Sequence, residues 1–389
     1  MPTPIAPATA HNERAARSVA PGDTARTVGV TGLRGIPGIM GGVETHCEEL
    51  LPRLVALDPS LNVVVLARRP YTGPDDRMVR GVRIVPLPAP QRQSLEAIVS
   101  TLNGVLHARR HRFRTLHIHA VGPGLLAPLA RLLGLSVIVT HHGADYDRAK
   151  WGVVAKSMLR LGERASMMFA DSVICVSPSL ADTMRARFPR HAAKVRYIPN
   201  GAPGAGGDET HPDTALAALG LTPGGYVLAV GRLVPEKGFD YLIEAFLRSG
   251  STAKLVIAGA SDHETPYSRA LLARASDRVR LIGRQPRGVL RHLYEQAALF
   301  VLPSFHEGLP IVALEAARAG TPMLMSDIQP NIDVGLPAGN YFPVGDIDAL
   351  ATALRAETGR YAVDAEAISR RFDWDVIARQ TMDVYRNAL

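Results

Sequence analysis

The stretch Leu299-Phe300-Val301-Leu302-Pro303-Ser304-Phe305-His306-Glu307-Gly308-Leu309-Pro310-Ile311-Val312-Ala313-Leu314-Glu315 changes character twice. Four apolar residues read as a buried strand that stops at Pro303, a small-residue loop follows, and Ile311 opens a helical run. A strand feeding a helix through such a loop is half of a parallel βαβ unit. The loop carries Glu307 and the helix carries Glu315. Backbone N–H groups at the start of that helix can receive an anion. A carboxylate can accept hydrogen bonds from vicinal hydroxyls such as those of a ribose. Glu315 stands among Ile311, Val312, Leu314 and Ala316, so its burial would call for a partner.

The same rhythm extends outward in both directions. Strands are expected at 226–230, 254–258, 279–281, 299–302 and 322–325, with helices at 239–249, 287–297, 311–319 and 347–356. In the first half, strands are expected at 27–32, 62–67, 82–86, 115–119, 136–141, 172–176 and 195–199. Helices fall at 43–56, 94–110, 150–169 and 179–188. Between the halves the alternation breaks in a Gly- and Pro-rich stretch, 201–225, which reads as a linker with one short helix at 215–219. The expected fold class is α/β, with two Rossmann-like doubly wound domains, 26–200 and 226–372, facing each other across a cleft.

Composition agrees with that frame. The 389 residues are 47% apolar and 21% charged, which excludes a disordered, collagenous or coiled-coil chain. Cys47 and Cys175 alone cannot build a disulfide framework or a CxxC metal site, and a reducing cytoplasm suits them best. Residues 1–25 lack the apolar run of a signal peptide and read as a flexible leader. The best membrane-spanning candidate, 121–140, is interrupted by Pro123, Pro128, Arg131 and Gly134, so no span is expected. The net charge of +8 is unevenly placed. Residues 1–200 carry 26 Lys+Arg against 14 Asp+Glu, and the remainder carries 18 against 22. The first half alone therefore faces an anionic partner.

Two further loops carry charge chemistry. After the first expected strand come Gly32, Gly35, Gly38, Gly41 and Gly42, leading into a helix whose start can meet a phosphate. This is not GxGxxG, and Arg68 and Arg69 end the second strand where a dehydrogenase needs an acid, so a Rossmann dehydrogenase is disfavoured. In the second half, Gly231-Arg232-Leu233-Val234-Pro235-Glu236-Lys237-Gly238 places Arg232 and Lys237 on one loop, suited to a diphosphate. His141 and His142 precede Gly143 at a strand end, where functional groups sit in such folds, and either could be structural.

Taken together, Gly41-Gly42-Val43-Glu44-Thr45, His142-Gly143, Gly231-Arg232 with Glu236-Lys237-Gly238, and Glu307 through Glu315 resemble the motifs of glycosyltransferase family 4, in the family's order over roughly residues 27–388. Arg34-Gly35-Ile36-Pro37 and Arg148-Ala149-Lys150-Trp151-Gly152 resemble a subgroup of bacterial exopolysaccharide and capsule transferases. The resemblance implies the GT-B architecture. It also implies retaining transfer of a hexosyl unit from a UDP- or GDP-linked sugar to a saccharide or polyprenyl-diphosphate-linked acceptor. Gly41 and Gly42 would approach the donor phosphate. Gly231, Arg232 and Lys237 would surround the diphosphate, and Glu315 would take the ribose. Glu307, Gly308, Leu309, Pro310 and Ile311 would hold the donor sugar, with His142 beside it. Gly283 and Arg284 would meet the base. Asp145, Tyr146, Arg148 and Trp151 would line the acceptor side. Residues 373–389 would form a helix crossing back to the first domain.

Other classes stay open at this stage. Paired carboxylates Glu307 and Glu315 also fit a glycoside hydrolase, although such an enzyme has no need of Arg232 and Lys237. A sugar-nucleotide-binding protein without transferase activity is a third reading. The triplets Asp145/Asp147, Asp346/Asp348 and Asp373/Asp375 could suggest a metal. None follows an early strand of a nucleotide domain, and Asp346 reads as a helix cap, so no metal or other cofactor is expected. The basic run 108–114, with Arg68, Arg69, Arg160, Arg185, Arg187 and Arg190, has little aromatic interleaving and no known binding motif, so nucleic acid is not expected. An anionic membrane surface, touched from the cytoplasmic side, or a polyprenyl-diphosphate acceptor suits the family resemblance better, and a merely solvated face stays open.

Overall fold

The computed structural model describes residues 26–90, 93–144, 152–202, 212–261 and 264–389. The first half builds one sheet from β1 (Thr27–Thr31), β2 (Asn62–Arg68), β3 (Arg77–Val79), β4 (Val82–Leu87), β5 (Thr115–His119), β6 (Ser136–His141), β7 (Ser172–Cys175) and β8 (Val195–Tyr197). Their order is β3-β4-β2-β1-β5-β6-β7-β8, with β3 antiparallel to β4 and the other neighbours parallel. The second half builds another from β9 (Tyr226–Val230), β10 (Lys254–Ala258), β11 (Val279–Gly283), β12 (Leu299–Leu302), β13 (Met323–Ser326) and β14 (Tyr341–Phe342). Its order is β11-β10-β9-β12-β13-β14, all parallel. Strands β1, β5, β9 and β12 are buried along their whole length, as helices on both faces require.

Each sheet has one point where the chain reverses its direction of growth, between β1 and β5 and between β9 and β12. Crevices outside the carboxyl ends of strands at such points are where open α/β sheets take ligands. The loops opened by Gly32, Gly231 and Pro303 all start there.

The first sheet is covered on one face by the Gly42–Leu57 and Trp374–Arg386 helices, whose Leu50, Leu51, Leu54, Ile377, Ala378 and Tyr385 share a core with Val28, Val30 and Val65. The last helix therefore belongs to the first core. Trp374 lies against Gly201, and the Tyr385 hydroxyl meets His117 Nδ1 at 2.8 Å. Gln93–Arg110, Val153–Phe169 and Pro178–Arg187 cover the other face.

Three readings change. The stretch 201–225 is not all spacer: the Pro212–Ala218 helix and the turn after it place Leu216 and Leu221 in the second core. Small β3 and the Ala365–Arg371 helix went unread because each is too short to show a period. The basic run 108–114 ends the Gln93–Arg110 helix and leads into the start of β5, so it lies at the end of the sheet remote from the cleft. Arg68, counted with that surface, is buried against Glu96 at 3.2 Å. Asp346 caps the Ile347–Ala353 helix as expected, while Asp373 caps the last helix and Asp375 pairs with Arg53 at 3.1 Å. Among the described residues no helix is long and apolar enough to cross a membrane.

Candidate active site

The loop after β9 and the loop after β12 are zipped together. The Phe305 N–H donates to the Glu236 carbonyl at 2.9 Å, and Gly238, in a left-handed conformation, leaves no room for a Cβ beside the Pro303 carbonyl. This brings Lys237 onto Glu307: Nζ stands 2.5 Å from Oε1, which also accepts from Ser304 Oγ at 2.7 Å. Both side chains are largely buried. An ammonium has three donors, so two remain for a phosphate. Arg232 is part-buried on the same loop, beside Gly231, over which the Lys237 stem runs.

Glu315 projects from the second turn of the Ile311–Arg318 helix. Its partner is one that sequence reading missed, the Tyr294 hydroxyl, which donates to Oε2 at 2.9 Å. Burial pushes the Glu315 carboxyl up to about 7, with the Tyr294 hydrogen bond and Arg287 pulling the other way. Burial and that same carboxylate push the Tyr294 phenol well above its usual range.

On the opposite wall, Gly41 stands just before the Gly42–Leu57 helix at φ 151°, with Arg34 and Glu44 filling the place of a side chain. The Glu44 carboxylate holds Arg34 through its backbone N–H and Nε, both at 3.1 Å. A side chain at Gly42 would meet nothing within 4 Å.

The two histidines separate cleanly. His141 is buried with Nε2 3.2 Å from Glu163, whose other oxygen meets Arg187 at 2.8 Å, and its Nδ1 accepts from the Gly143 N–H at 3.2 Å. That is a structural anchor. His142 instead joins a cluster with its Nε2 2.9 Å from His119 Nδ1 and its ring 5.0 Å from that of His46. Asn200 gives its amide to the Leu309 carbonyl at 2.8 Å, so its oxygen accepts from His46 Nδ1 at 2.9 Å. Burial pushes His46 down to about 4 and His117 to about 3, and it holds His119 and His142 well below the usual imidazole range. All four are neutral at pH 7. Nitrogens of His46, His119 and His142 lie within 4.8 Å of one another, a spacing a metal could use. The contacts to Asn200 and between His119 and His142 account for one nitrogen of each ring without one.

The halves meet at these loops. A Cβ at Gly308 would overlap the His142 carbonyl oxygen, and one at Gly143 would stand 3.1 Å from Gly308 Cα. Leu309, Pro310 and Ile311 continue from that contact into the helix, all buried. At the end of β11, Gly283 leads to Arg284, whose guanidinium donates to the Gly38 carbonyl of the other half. Arg287 reaches across to Glu49 at 2.7 Å. Asp145, Tyr146, Arg148 and Trp151 lie outside the described residues. Besides Tyr294, sequence reading missed His46, Asn200 and Arg287. His46 directly follows the Gly41–Thr45 motif, which was the one signal available for it.

Residues 41–201 match the family model of the glycosyl transferase 4-like domain, and residues 219–356 match that of glycosyl transferases group 1. The chain is 26% identical over 386 residues to the alpha-maltose-1-phosphate synthase of Mycolicibacterium smegmatis, covering 90% of this chain and 96% of that one. It is 28% identical over 390 residues to the GDP-mannose-dependent alpha-(1-6)-phosphatidylinositol monomannoside mannosyltransferase of Mycobacterium tuberculosis, covering 90% and 96%. Its fold is similar to that of the sucrose-phosphate synthase of Thermosynechococcus elongatus, with a TM-score of 0.77 at 23% identity over 93% of this chain and 98% of that one. The chain is a glycosyltransferase of the GT-B fold, built from a glycosyl transferase 4-like domain followed by a glycosyl transferases group 1 domain.

Proposed function

We propose that this enzyme moves a hexosyl unit, with retention, from a UDP- or GDP-linked sugar to a saccharide or polyprenyl-diphosphate-linked saccharide in bacterial surface polysaccharide synthesis. It works at the cytoplasmic face of the membrane and needs no metal. The observation that carries this reading is the contact of Gly308 with the His142 carbonyl, which sets the Lys237–Glu307 pair opposite the Gly41–Gly42 helix start. Breaking a glycosyl–phosphate bond leaves positive charge on the sugar and negative charge on the diphosphate. Arg232, Lys237 and the N–H groups at the starts of the Gly42–Leu57 and Ile311–Arg318 helices stabilise the second charge. Glu307 holds the donor sugar and shares Lys237 with the leaving group. Glu315 accepts the ribose hydroxyls. Neutral His142 is a hydrogen-bonding group beside the sugar, not a cation competing with the oxocarbenium. Contact between the halves excludes water while charge develops.

The nucleotide-dependent mannosyl transfer named for the mycobacterial relative supports a nucleotide-sugar donor and a lipid-borne acceptor. A donor-hydrolysis panel of UDP- and GDP-hexoses, with and without excess EDTA, tests the reading. Turnover of at least one donor, undiminished by EDTA, is the expected result. No turnover of any donor, or release of sugar from a simple glycoside without nucleotide, sinks it.

A further inference from the structure

The Val153–Phe169 helix flanks the first sheet and runs past the carboxyl ends of β5 and β6, where its Gly162 meets the Val121 carbonyl and its Glu163 meets His141. Its inner side is anchored by buried Gly162, Glu163, Ala165, Ser166 and Met167. Gly162 packs so closely on the Val121 carbonyl that no side chain fits. Its outer side is unusual for a helix facing water. Val153 is 82% exposed, Val154 75%, Leu161 55% and Met158 40%, with Met168 and Phe169 exposed at the far end. Val154, Met158, Leu161 and Met168 follow helical spacing and form one apolar ridge. Lys156, Arg160 and Arg164, each four residues apart, form a cationic ridge beside it. Lys194 adds a further cation at the helix end, where its Nζ donates to the Ala170 carbonyl at 2.7 Å.

We infer that this face lies in the plane of an anionic bilayer, the apolar ridge among the acyl chains and the cationic ridge against the headgroups. Parallel apolar and cationic ridges are the pattern of an interfacial helix. Charge complementarity selects a membrane over a second copy of the chain, because a symmetric contact through this face would set like-charged ridges together. The placement would hold the mouth of the cleft at the bilayer, where a lipid-linked acceptor presents its sugar. The inference rests on the proposed lipid-linked acceptor only for that last consequence.

Flotation of the full chain with phosphatidylcholine vesicles, with or without phosphatidylglycerol, tests it. Binding is expected to the anionic vesicles and to weaken with salt. Each cation removed among Lys156→Gln, Arg160→Gln and Arg164→Gln should cost about fivefold in partitioning. Val154→Asp with Leu161→Asp should abolish flotation while leaving donor hydrolysis unchanged, which separates loss of the surface from loss of the fold or of the transferase chemistry. Wild-type protein that does not prefer anionic vesicles overturns the inference. So does a Val154→Asp, Leu161→Asp variant that floats like wild type, or a wild-type dimer that this variant splits and that never floats.

Discussion

Lys237 and Glu307 illustrate how one contact serves two ends. In the free enzyme the pair is largely buried, and removing one partner strands the other charge. Lys237→Ala should therefore lower stability by about 3 kcal/mol and lower turnover by ~10²–10³, the cost of losing one charge-stabilising donor. Arg232→Ala should show a comparable kinetic loss. Denaturant unfolding of the Lys237→Ala, Glu307→Ala double variant checks the pairing, since its cost should fall well short of the sum of the singles. Near-normal turnover in folded Lys237→Ala and Arg232→Ala would remove both from the site.

Glu315 carries a pH signature. Its folded-state value, about 7, lies above the ordinary carboxylate value, so the neutral form stabilises the fold. That contribution is complete below about pH 4.5 and is lost as pH rises through 7. Glu315→Gln should make the free enzyme more stable at pH 8 by roughly 1–2 kcal/mol, allowing for the partial exposure of the carboxylate, while weakening donor binding. Only the carboxylate accepts both ribose hydroxyls, so donor KM should rise as pH falls below 7. Tyr294→Phe removes a hydrogen bond that favours the carboxylate and should move that rise to higher pH. Steady-state KM between pH 6 and 9 reads both effects, and superimposable profiles would exclude the assignment.

Loops and strand ends decide how the site closes. Gly308→Ala puts a methyl group against the His142 carbonyl and must part the two halves. The expected result is at least a tenfold fall in kcat/KM with little change in donor-free stability, about 1.4 kcal/mol of lost transition-state binding. Wild-type kinetics in the variant would show that the contact is dispensable. The imidazoles on β5, on the Gly42–Leu57 helix and just after β6 set the acid limit. His46, His117, His119 and His142 are held below their ordinary value, so their contribution is present above about pH 6.5 and is lost as pH falls below it, through about 4 for His46 and about 3 for His117. Thermal midpoints should drop steeply over that interval, and His117→Gln should flatten the drop. These elements also mark the limit of sequence reading. The strands β1, β5, β6, β9, β10 and β12 were legible because apolar runs bounded by turns are local. Tyr294 as the partner of Glu315 was not, because the two lie on different helices.

Across the whole molecule, the halves are joined by Asn200 to Leu309, Arg284 to Gly38, Arg287 to Glu49, and the Ser179 hydroxyl to Asp333. Arg287→Ala should loosen the closed form, raising donor KM a fewfold and the radius of gyration in small-angle scattering, with kcat at saturating donor less affected. An unchanged KM would mean that the salt link does not hold the domains. The charge asymmetry takes a different shape at this scale. The positive excess of the first half was legible as arithmetic, but its densest run, 108–114, sits away from the cleft, and Arg68 is neutralised internally. Lys156, Arg160 and Arg164 of the Val153–Phe169 helix stand beside exposed apolar side chains that composition cannot reveal.

By itself the sequence determined the alternation of strands and helices, the two parallel-sheet halves, the loops that bear Arg232, Lys237 and Glu307, and the helix that bears Glu315, since each rests on residues close together in the chain. It also determined where Asp346 caps a helix. Tertiary structure alone decided that His141 is an anchor while the His142 carbonyl meets Gly308 of the other half, that Lys237 meets Glu307, and that Tyr294 partners Glu315. Those choices depend on which side chains meet across sheets and domains, where contact replaces water and burial changes the cost of charge.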